Sequence, residues 1–383
     1  MNARLAGALP LAVIGVLSCA VYAVGFDLDL PGEPTRWFPV LYYPLFALFL
    51  GAAWWVWRHP GLGVWPVLVF AVAFRVFAAG DPPSLSSDVH RYAWDGQVQR
   101  AGVNPYAHPP DDPTLEALRD EVIHPNINRP SARTVYPPGG QVLYRFLPYD
   151  LYAIRLVMIG FDGLTILLLA RLLVLLKLDP ARVVLYAWSP LVVYEVGNNG
   201  HLEAAMLPLL VGAVLAHRAG RVGGAGWLLG GAVSLKLYPV LAVVGLARER
   251  PLRLLAPLGA VVGLLYLVYG WSVGRRVLGF LPDYVRSAED HNIGLRRALE
   301  WVLAGWAPHP REVAFGLCLV LLVAGLGWIW RHPASPERQL LRISGLYLLT
   351  LPTALHPWYA LWLFPWLCVY PRASWLWFMG ALP

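Results

Sequence analysis

The 383-residue sequence is short of charge: Asp, Glu, Lys and Arg together make up 14% of it. A soluble chain of this length buries one or two cores and still needs a charged surface around them, so that class is excluded. Lysine is nearly absent, with Lys177 and Lys236 the only two in the sequence. The three cysteines, Cys19, Cys318 and Cys368, fall in apolar runs at unrelated positions, which gives neither a metal spacing nor a disulfide framework. No strand–GxGxxG–helix unit can be found, because the glycines lie in apolar helical stretches; a Rossmann-like nucleotide-binding sheet is excluded with it. Low-complexity tails are missing as well.

What is present is apolar. Hydrophobic residues make up 58% of the chain and the mean hydropathy is +0.54. The apolar runs are about 17–22 residues long, the length that crosses a bilayer as a helix. They are continuously apolar, which excludes the alternation of a closed β-barrel. Many of the 18 Trp and 18 Tyr stand at the ends of these runs, as interfacial belts do. The net charge of +7 comes from arginines at the same ends. There it fixes topology and meets anionic lipid, and is not a nucleic-acid signal. The expected fold is all-α: a single multi-pass transmembrane bundle over 1–383, of about 10–12 spans.

Spans are expected near 8–26, 38–57, 62–79, 152–176, 181–197, 202–217, 252–271, 313–330, 339–355 and 357–370. Two long segments interrupt them: 80–150, rich in Pro, Asp and Asn and expected to carry short helices, and 272–311, with its charged stretch VRSAEDHN. Loops of that length in a compact membrane protein carry function. Arg4, Arg58, Lys177, Arg182, Arg218 and Arg221 point to the cytoplasmic side, which turns Asp27–Glu33 and both long loops outward. The run 225–247 has basic residues at both ends. A re-entrant hairpin turning at Lys236–Pro239 keeps both clusters inside. It also keeps the repeat WxWRHP, at 55–60 and 328–333, on one side. The final WLWFMGALP starts like a span and is too short to complete one.

The densest polar pattern is SSDVHRYAWDGQVQRAGVNPY, Ser86–Tyr106. A helix over Asp88–Ala101 puts Asp88, Tyr92, Asp95 and Gln99 on one face, and Ala93 and Gly96 on another suited to close packing. Asn104–Pro105–Tyr106 reads as a turn. In isolation, Asp88 would be a helix cap and Asp95 a solvated acid. Lys236 stands in the apolar run SLKLYP, where a bare ammonium costs about 2.5–3.5 kcal/mol. It needs an anion, either an acid such as Asp162, Glu195 or Glu203, or the phosphate of a ligand. Arg155 and Asp162, seven apart on one helix face, suit an ion pair. Asn198–Glu203, Tyr136–Gly139 and His356–Tyr359 add turn-like polar clusters on the outer side.

These elements together resemble the polytopic glycosyltransferases of the GT-C superfamily, and most closely the bacterial family 87 type, related to polyprenyl-phosphate-mannose-dependent mannosyltransferases. The matching pieces are SxDVxRYxWDGxVxxAGxNPY at Ser86–Tyr106, YPPG at Tyr136–Gly139, Gly200–Glu203, KLYP at Lys236–Pro239 and HPWY at His356–Tyr359. They stand in the family's order and cover most of the chain. Two positions depart from its pattern: Ser87, where a second acid is common, and Glu203, where Asp is common. The first argues against a paired-carboxylate metal site, and the resemblance implies no definite cofactor, a divalent metal being left open.

The resemblance implies transfer of a hexose, mannose favoured, from a polyprenyl-phosphate donor to an extracytoplasmic hydroxyl at the cell (inner) membrane, with inversion. The acceptor is a glycolipid, a glycan or a protein. Asp88 is the expected base. Lys236 is the expected phosphate ligand, with Arg91 next. Tyr92 and Asp95 are expected at the sugar or in positioning the helix, and His201, Glu203 and His356 in the pocket. Asn104, Tyr106, Tyr136, Tyr238 and Tyr359 complete the substrate-binding set. Membrane lipids are the other partners. Two rival readings stand beside this one. A transporter or flippase of lipid-linked sugars also has broken helices and buried charges. A non-catalytic assembly subunit of the cell envelope would tolerate loss of Asp88.

Overall fold

Proline and glycine decide where this apolar chain breaks, and the breaks build the site. The computed structural model describes residues 3–27, 34–286, 294–350 and 355–382. The turn 28–33 and most of VRSAEDHN lie outside the described residues. All regular structure among those described is helical. The first three helices are α1 (Ala3–Asp27), α2 (Pro34–Arg58) and α3 (Trp65–Gly80). The long loop carries α4 (Asp88–Arg100), 3₁₀ turns at Pro113–Leu118 and His124–Asn126, and α5 (Pro138–Phe146). After α6 (Leu151–Leu175) comes a broken stretch. It runs through Pro180–Val183, α7 (Val184–Ala187), α8 (Pro190–Val192) and a π-helical turn at Val193–Asn198. Next are α9 (Glu203–Arg218), α10 (Val222–Leu235), a 3₁₀ turn at Tyr238–Ala242, α11 (Val243–Leu246) and α12 (Pro251–Val273). The second long segment holds α13 (Leu281–Arg286) and α14 (Leu295–Leu303). The chain closes with α15 (Pro310–Arg331), α16 (Pro336–Thr350), a 3₁₀ stretch Pro357–Leu363, α17 (Phe364–Val369) and α18 (Ala373–Ala381).

Among the described residues, five stretches are long and apolar enough to cross a membrane: Gly7–Gly25, Phe38–Arg58, Leu151–Leu175, Pro251–Asp283 and Pro310–Arg331. Trp65–Gly80 and Val222–Leu235 are shorter apolar helices. The span expected at 181–197 is not one helix. Pro190 has no N–H to continue the ladder, and Ser189 before it is extended (ψ 121°), as a residue preceding proline prefers. The expected span 357–370 is likewise a 3₁₀ stretch followed by a short α-helix, each with a proline in its first turn.

The chain reverses at Lys236. Lys236 itself is extended (φ −141°, ψ 138°) at the end of α10. The following turns return Leu246 to the far end of α9, where its carbonyl lies 3.1 Å from His217 Nε2. Gly223, at the start of α10, faces the Arg253 carbonyl at the start of α12. Residues 218–221 and 248–253 therefore share one end of the bundle. Both WxWRHP repeats join them there. Arg248 lies over Trp330 and donates to its carbonyl, and Gly61 N donates to Asp179 just past α6 (2.6 Å). α6 and α9 both begin at the opposite end, where Arg155 reaches the Asn198 carbonyl (3.4 Å).

The expected Arg155–Asp162 pair does not form. Seven residues advance a helix by about 10 Å, too far for a direct contact. Asp162 instead accepts from Arg75 Nε (2.6 Å) and Tyr186 Oη (2.6 Å) across α3, α6 and α7. Arg155 donates to the carbonyls of Asp81 and Asn198. It thereby ties the end of α3 to the start of the site.

Candidate functional site

α4 lies at the end of the bundle opposite the basic cluster. Its polar face reads as the sequence predicts: Tyr92, Asp95 and Gln99 are buried, and Asp88 faces the same way with its side chain 13% exposed. Asp88 is the first helical residue, with Ser87 at the cap position and no side-chain cap made there. Its carboxylate accepts from Asn128 Nδ2 (2.8 Å) and lies 3.7 Å from His201 Nδ1. Burial on its own would raise its pKa. The charges of His201 and Lys236, with hydrogen bonds from Asn128 and Tyr136, outweigh that and hold it below the usual carboxylate range.

His201 follows the π-helical turn. Gly200 makes the approach possible, for two reasons. It sits at φ +69°, and a Cβ there would come within 2.9 Å of Arg155 Cγ. The His201 ring is fully buried and stacks on Trp358 (4.1 Å, 21°), which stacks in turn on His356 (4.2 Å, 5°). His201 Nε2 lies 3.1 Å from Glu195 Oε2. Burial favours the neutral ring, but Glu195, Asp88 and Glu203 together raise the pKa of His201. His356 goes the other way: burial takes it down to about 4, against the pull of Asp88. One imidazole is thus biased toward the cation and its neighbour toward the neutral form.

Lys236 enters from the α10 break. Its ammonium lies 3.0 Å from Glu203 Oε1 and 5.3 Å from the centroid of the Tyr136 ring. Glu203 is fully buried at the start of α9. Tyr92 stacks on Tyr144 (4.7 Å, 12°), and Tyr136 meets both edge-on. Tyr238 packs on Trp362 (4.9 Å) and Tyr347 (5.2 Å), and Tyr359 meets His356 edge-on (5.6 Å).

Not every expected residue joins this group. Arg91 Nε is held by Asp95 (2.8 Å), and its guanidinium also donates to the Ala132 carbonyl (3.1 Å). Asp95 additionally accepts from Gln141 (2.9 Å), so it is a buried, satisfied acid and not a solvated one. Asn104 donates to the Tyr269 carbonyl (2.8 Å) and to Ser272 (3.0 Å), pinning the loop to α12. Tyr106 Oη donates to the Tyr136 carbonyl (2.6 Å). These four brace α4 and α5 around the site. Three residues outside the expected set belong to it: Asn128, Trp358 and Glu195. Glu195 is legible in the sequence as an acid in an apolar run, but as a partner for Lys236 and not for His201; Trp358 lies within the HPWY element. Asn128 lies in a polar loop that carries no such signal. Among the described residues no group of three His, Cys, Asp or Glu is arranged as metal ligands.

Gly139 sets the distance between Tyr136 and Lys236. A Cβ there would lie 2.6 Å from both the Cβ and the carbonyl oxygen of Ser234, two residues before Lys236. Gly139→Ala is expected to push α5 off α10, at about 1–3 kcal/mol. Thermal unfolding of the purified protein would show a lowered midpoint, and an unchanged midpoint would contradict this close approach.

The arrangement is a multi-pass membrane helical bundle with a polar, charge-paired cluster at one end. Residues 134–356, more than half of the chain, match the model of glycosyltransferase family 87. The chain belongs to that family and is a membrane glycosyltransferase. The matched stretch takes in Tyr136, His201, Glu203, Lys236, Tyr238 and His356, and begins after Asp88. No curated protein and no solved structure matches the chain.

Proposed function

We propose that the chain moves a hexose, mannose favoured, from a polyprenyl-phosphate donor to an acceptor hydroxyl, with inversion. In this reading the basic end is cytoplasmic and the site faces outward, at the cell membrane. A sugar phosphate ester has a good leaving group, so one base and a cation suffice. Asp88 takes the acceptor hydroxyl proton as that oxygen bonds to the anomeric carbon. The bond from that carbon to the phosphate oxygen breaks, and polyprenyl phosphate leaves with the electron pair beside Lys236. The acceptor is a glycolipid, a glycan or a protein hydroxyl.

The observation that carries this reading is the Asp88 carboxylate: 13% exposed at its side chain, held below the usual carboxylate range by His201 and Lys236, and set at the end of the bundle opposite the basic cluster, where this reading brings the donor phosphate. The resemblance to mannosyl-phosphate-dependent enzymes supports mannose. To test it, membranes containing the protein are given radiolabelled polyprenyl-phosphate mannose or glucose and a host lipid extract. Transfer from the mannosyl donor is expected. Transfer from the glucosyl donor alone would change the sugar. No transfer, with labelled donor instead moved across the bilayer, would favour the transporter reading.

A further inference from the structure

Six histidines other than His201 each have a single ring nitrogen engaged. His59, His90, His124, His217 and His332 each set a ring nitrogen against a backbone carbonyl, and His108 lies against Asp112 four residues on. His201 differs. Its two ring nitrogens face two carboxylates from two different elements: Asp88 at 3.7 Å and Glu195 at 3.1 Å. Neither contact meets hydrogen-bond geometry, and both become ion pairs when the ring is protonated. Of the two acids, Asp88 is 13% exposed at its side chain and Glu195 only 4%. The ring therefore links an open carboxylate to a closed one. Its orientation is fixed by Trp358 on one face and by the backbone of the π-helical turn, where His201 N donates to the Glu195 carbonyl (3.0 Å). Glu195 is fixed by Asn199 Nδ2, which donates to the same Oε2 (3.1 Å).

We propose that Glu195 and His201 are a positioning pair for Asp88: Glu195 keeps the His201 ring cationic, and that cation holds the Asp88 carboxylate in place and ionised. This rests on the reading of Asp88 as the base. The pair gives Asp88 a counter-charge that is independent of Lys236, so Asp88 stays ionised when Lys236 turns to the donor phosphate. Among the described residues, the charged and titratable groups that act on the ring and on Asp88 come from several elements. Asp88 comes from α4, Glu195 from the π-helical turn, Glu203 from α9 and Lys236 from the α10 break; His356 stands behind Trp358, and Tyr92 and Tyr136 flank Asp88. Removing the cation raises the pKa of Asp88, so the base is lost at a higher pH than in wild type. Glu195→Gln acts through the same step, because a buried imidazole without its acid tends to the neutral form.

The test is the pH dependence of kcat/KM for label transfer from polyprenyl-phosphate mannose and, in parallel, polyprenyl-phosphate glucose. Wild type, Glu195→Gln, His201→Gln, the double variant and Asp88→Asn are compared. Both single variants are expected to lose about 10–100-fold near pH 7, as groups that orient a reacting group do. The acid limb should move up by about one pH unit, so the deficit deepens further at acid pH and levels off to the positioning loss above the limb. The double variant should be no worse than either single one, since both act through one charge. A loss equal at every pH, or additive losses in the double variant, would mean a structural role and overturn the pair. If His201→Gln does not accumulate as a folded species, the isosteric Glu195→Gln decides by its pH profile. Asp88→Asn inactive with unshifted single variants sinks the pair alone. Asp88→Asn fully active, or wild type inactive with both donors, sinks the reading of Asp88 and the pair together.

Discussion

Asp88→Asn is expected to lower kcat for sugar transfer by about 10²–10⁴-fold, the range that one general base supplies. The substitution keeps size and shape. The amide oxygen can still accept from Asn128 Nδ2, so α4 and the loop over it stay in register. What disappears is the group proposed to accept the proton. Since the base acts as the acceptor oxygen attacks, kcat should fall much further than KM rises. The sign of the pH dependence follows from the charges around it. Asp88 is held below the ordinary carboxylate range, so wild-type activity should persist as pH falls through that range and fail only below it. Asp88→Glu keeps the charge and adds a methylene, displacing the carboxylate toward His201; partial activity is expected. Initial rates at saturating donor, for variants matched in membrane abundance, are the measurement. An Asn variant keeping a tenth or more of wild-type kcat would remove Asp88 from the base position.

Much of this site was legible in the sequence because it is written in spacing. Asp88, Tyr92, Asp95 and Gln99 recur at helical intervals, and α4 buries the last three together. Gly96 was expected to pack closely, and a Cβ there would overlap the Tyr144 carbonyl. The reversal at Lys236 followed from basic residues on both sides of one apolar run, since charge placement constrains topology. What could not be read is what depends on partners distant in sequence. Asp162 took Arg75, 87 positions away, in preference to the arginine on its own helix. Read in isolation, Asp95 is a solvated acid, because nothing local says that Gln141 and the loop before α5 cover it. The π-helical turn that aims Glu195 and His201 is an irregularity of backbone, and hydropathy counts residue types without registering it. A broken stretch such as 180–198 is apolar enough to look like a span, yet its backbone irregularity is what delivers the site's polar groups. Non-helical backbone at membrane depth is tolerated where protein buries it, and nearly every residue of that stretch is buried.

Lys236 separates the two readings that a lone buried lysine allows. The structure gives it an acid, Glu203, at 3.0 Å, so neutralising that acid could be its whole purpose. Lys236→Met should destabilise the protein by about 3–5 kcal/mol, because Glu203, fully buried, then loses its direct ion-pair partner. It should also lower transfer by about 10²–10³-fold if the ammonium stabilises the departing phosphate, the loss seen when one charge-stabilising donor is removed. Either reading predicts an unstable, inactive single variant, so that variant alone decides nothing. The double variant Lys236→Met/Glu203→Gln decides. With both charges gone, most of the lost stability should return, since replacing a whole buried ion pair is often neutral. If activity returns with it, Lys236 only balances Glu203. If the midpoint of thermal unfolding recovers while transfer stays low, the ammonium acts on the donor. The latter is expected: the α10 break turns Lys236 toward Tyr136 and the electrostatic field of Asp88 as well as toward Glu203. Glu203→Gln alone completes the cycle. It frees Lys236 from its acid and should leave donor binding intact or tighter, measured as an unchanged or lowered KM.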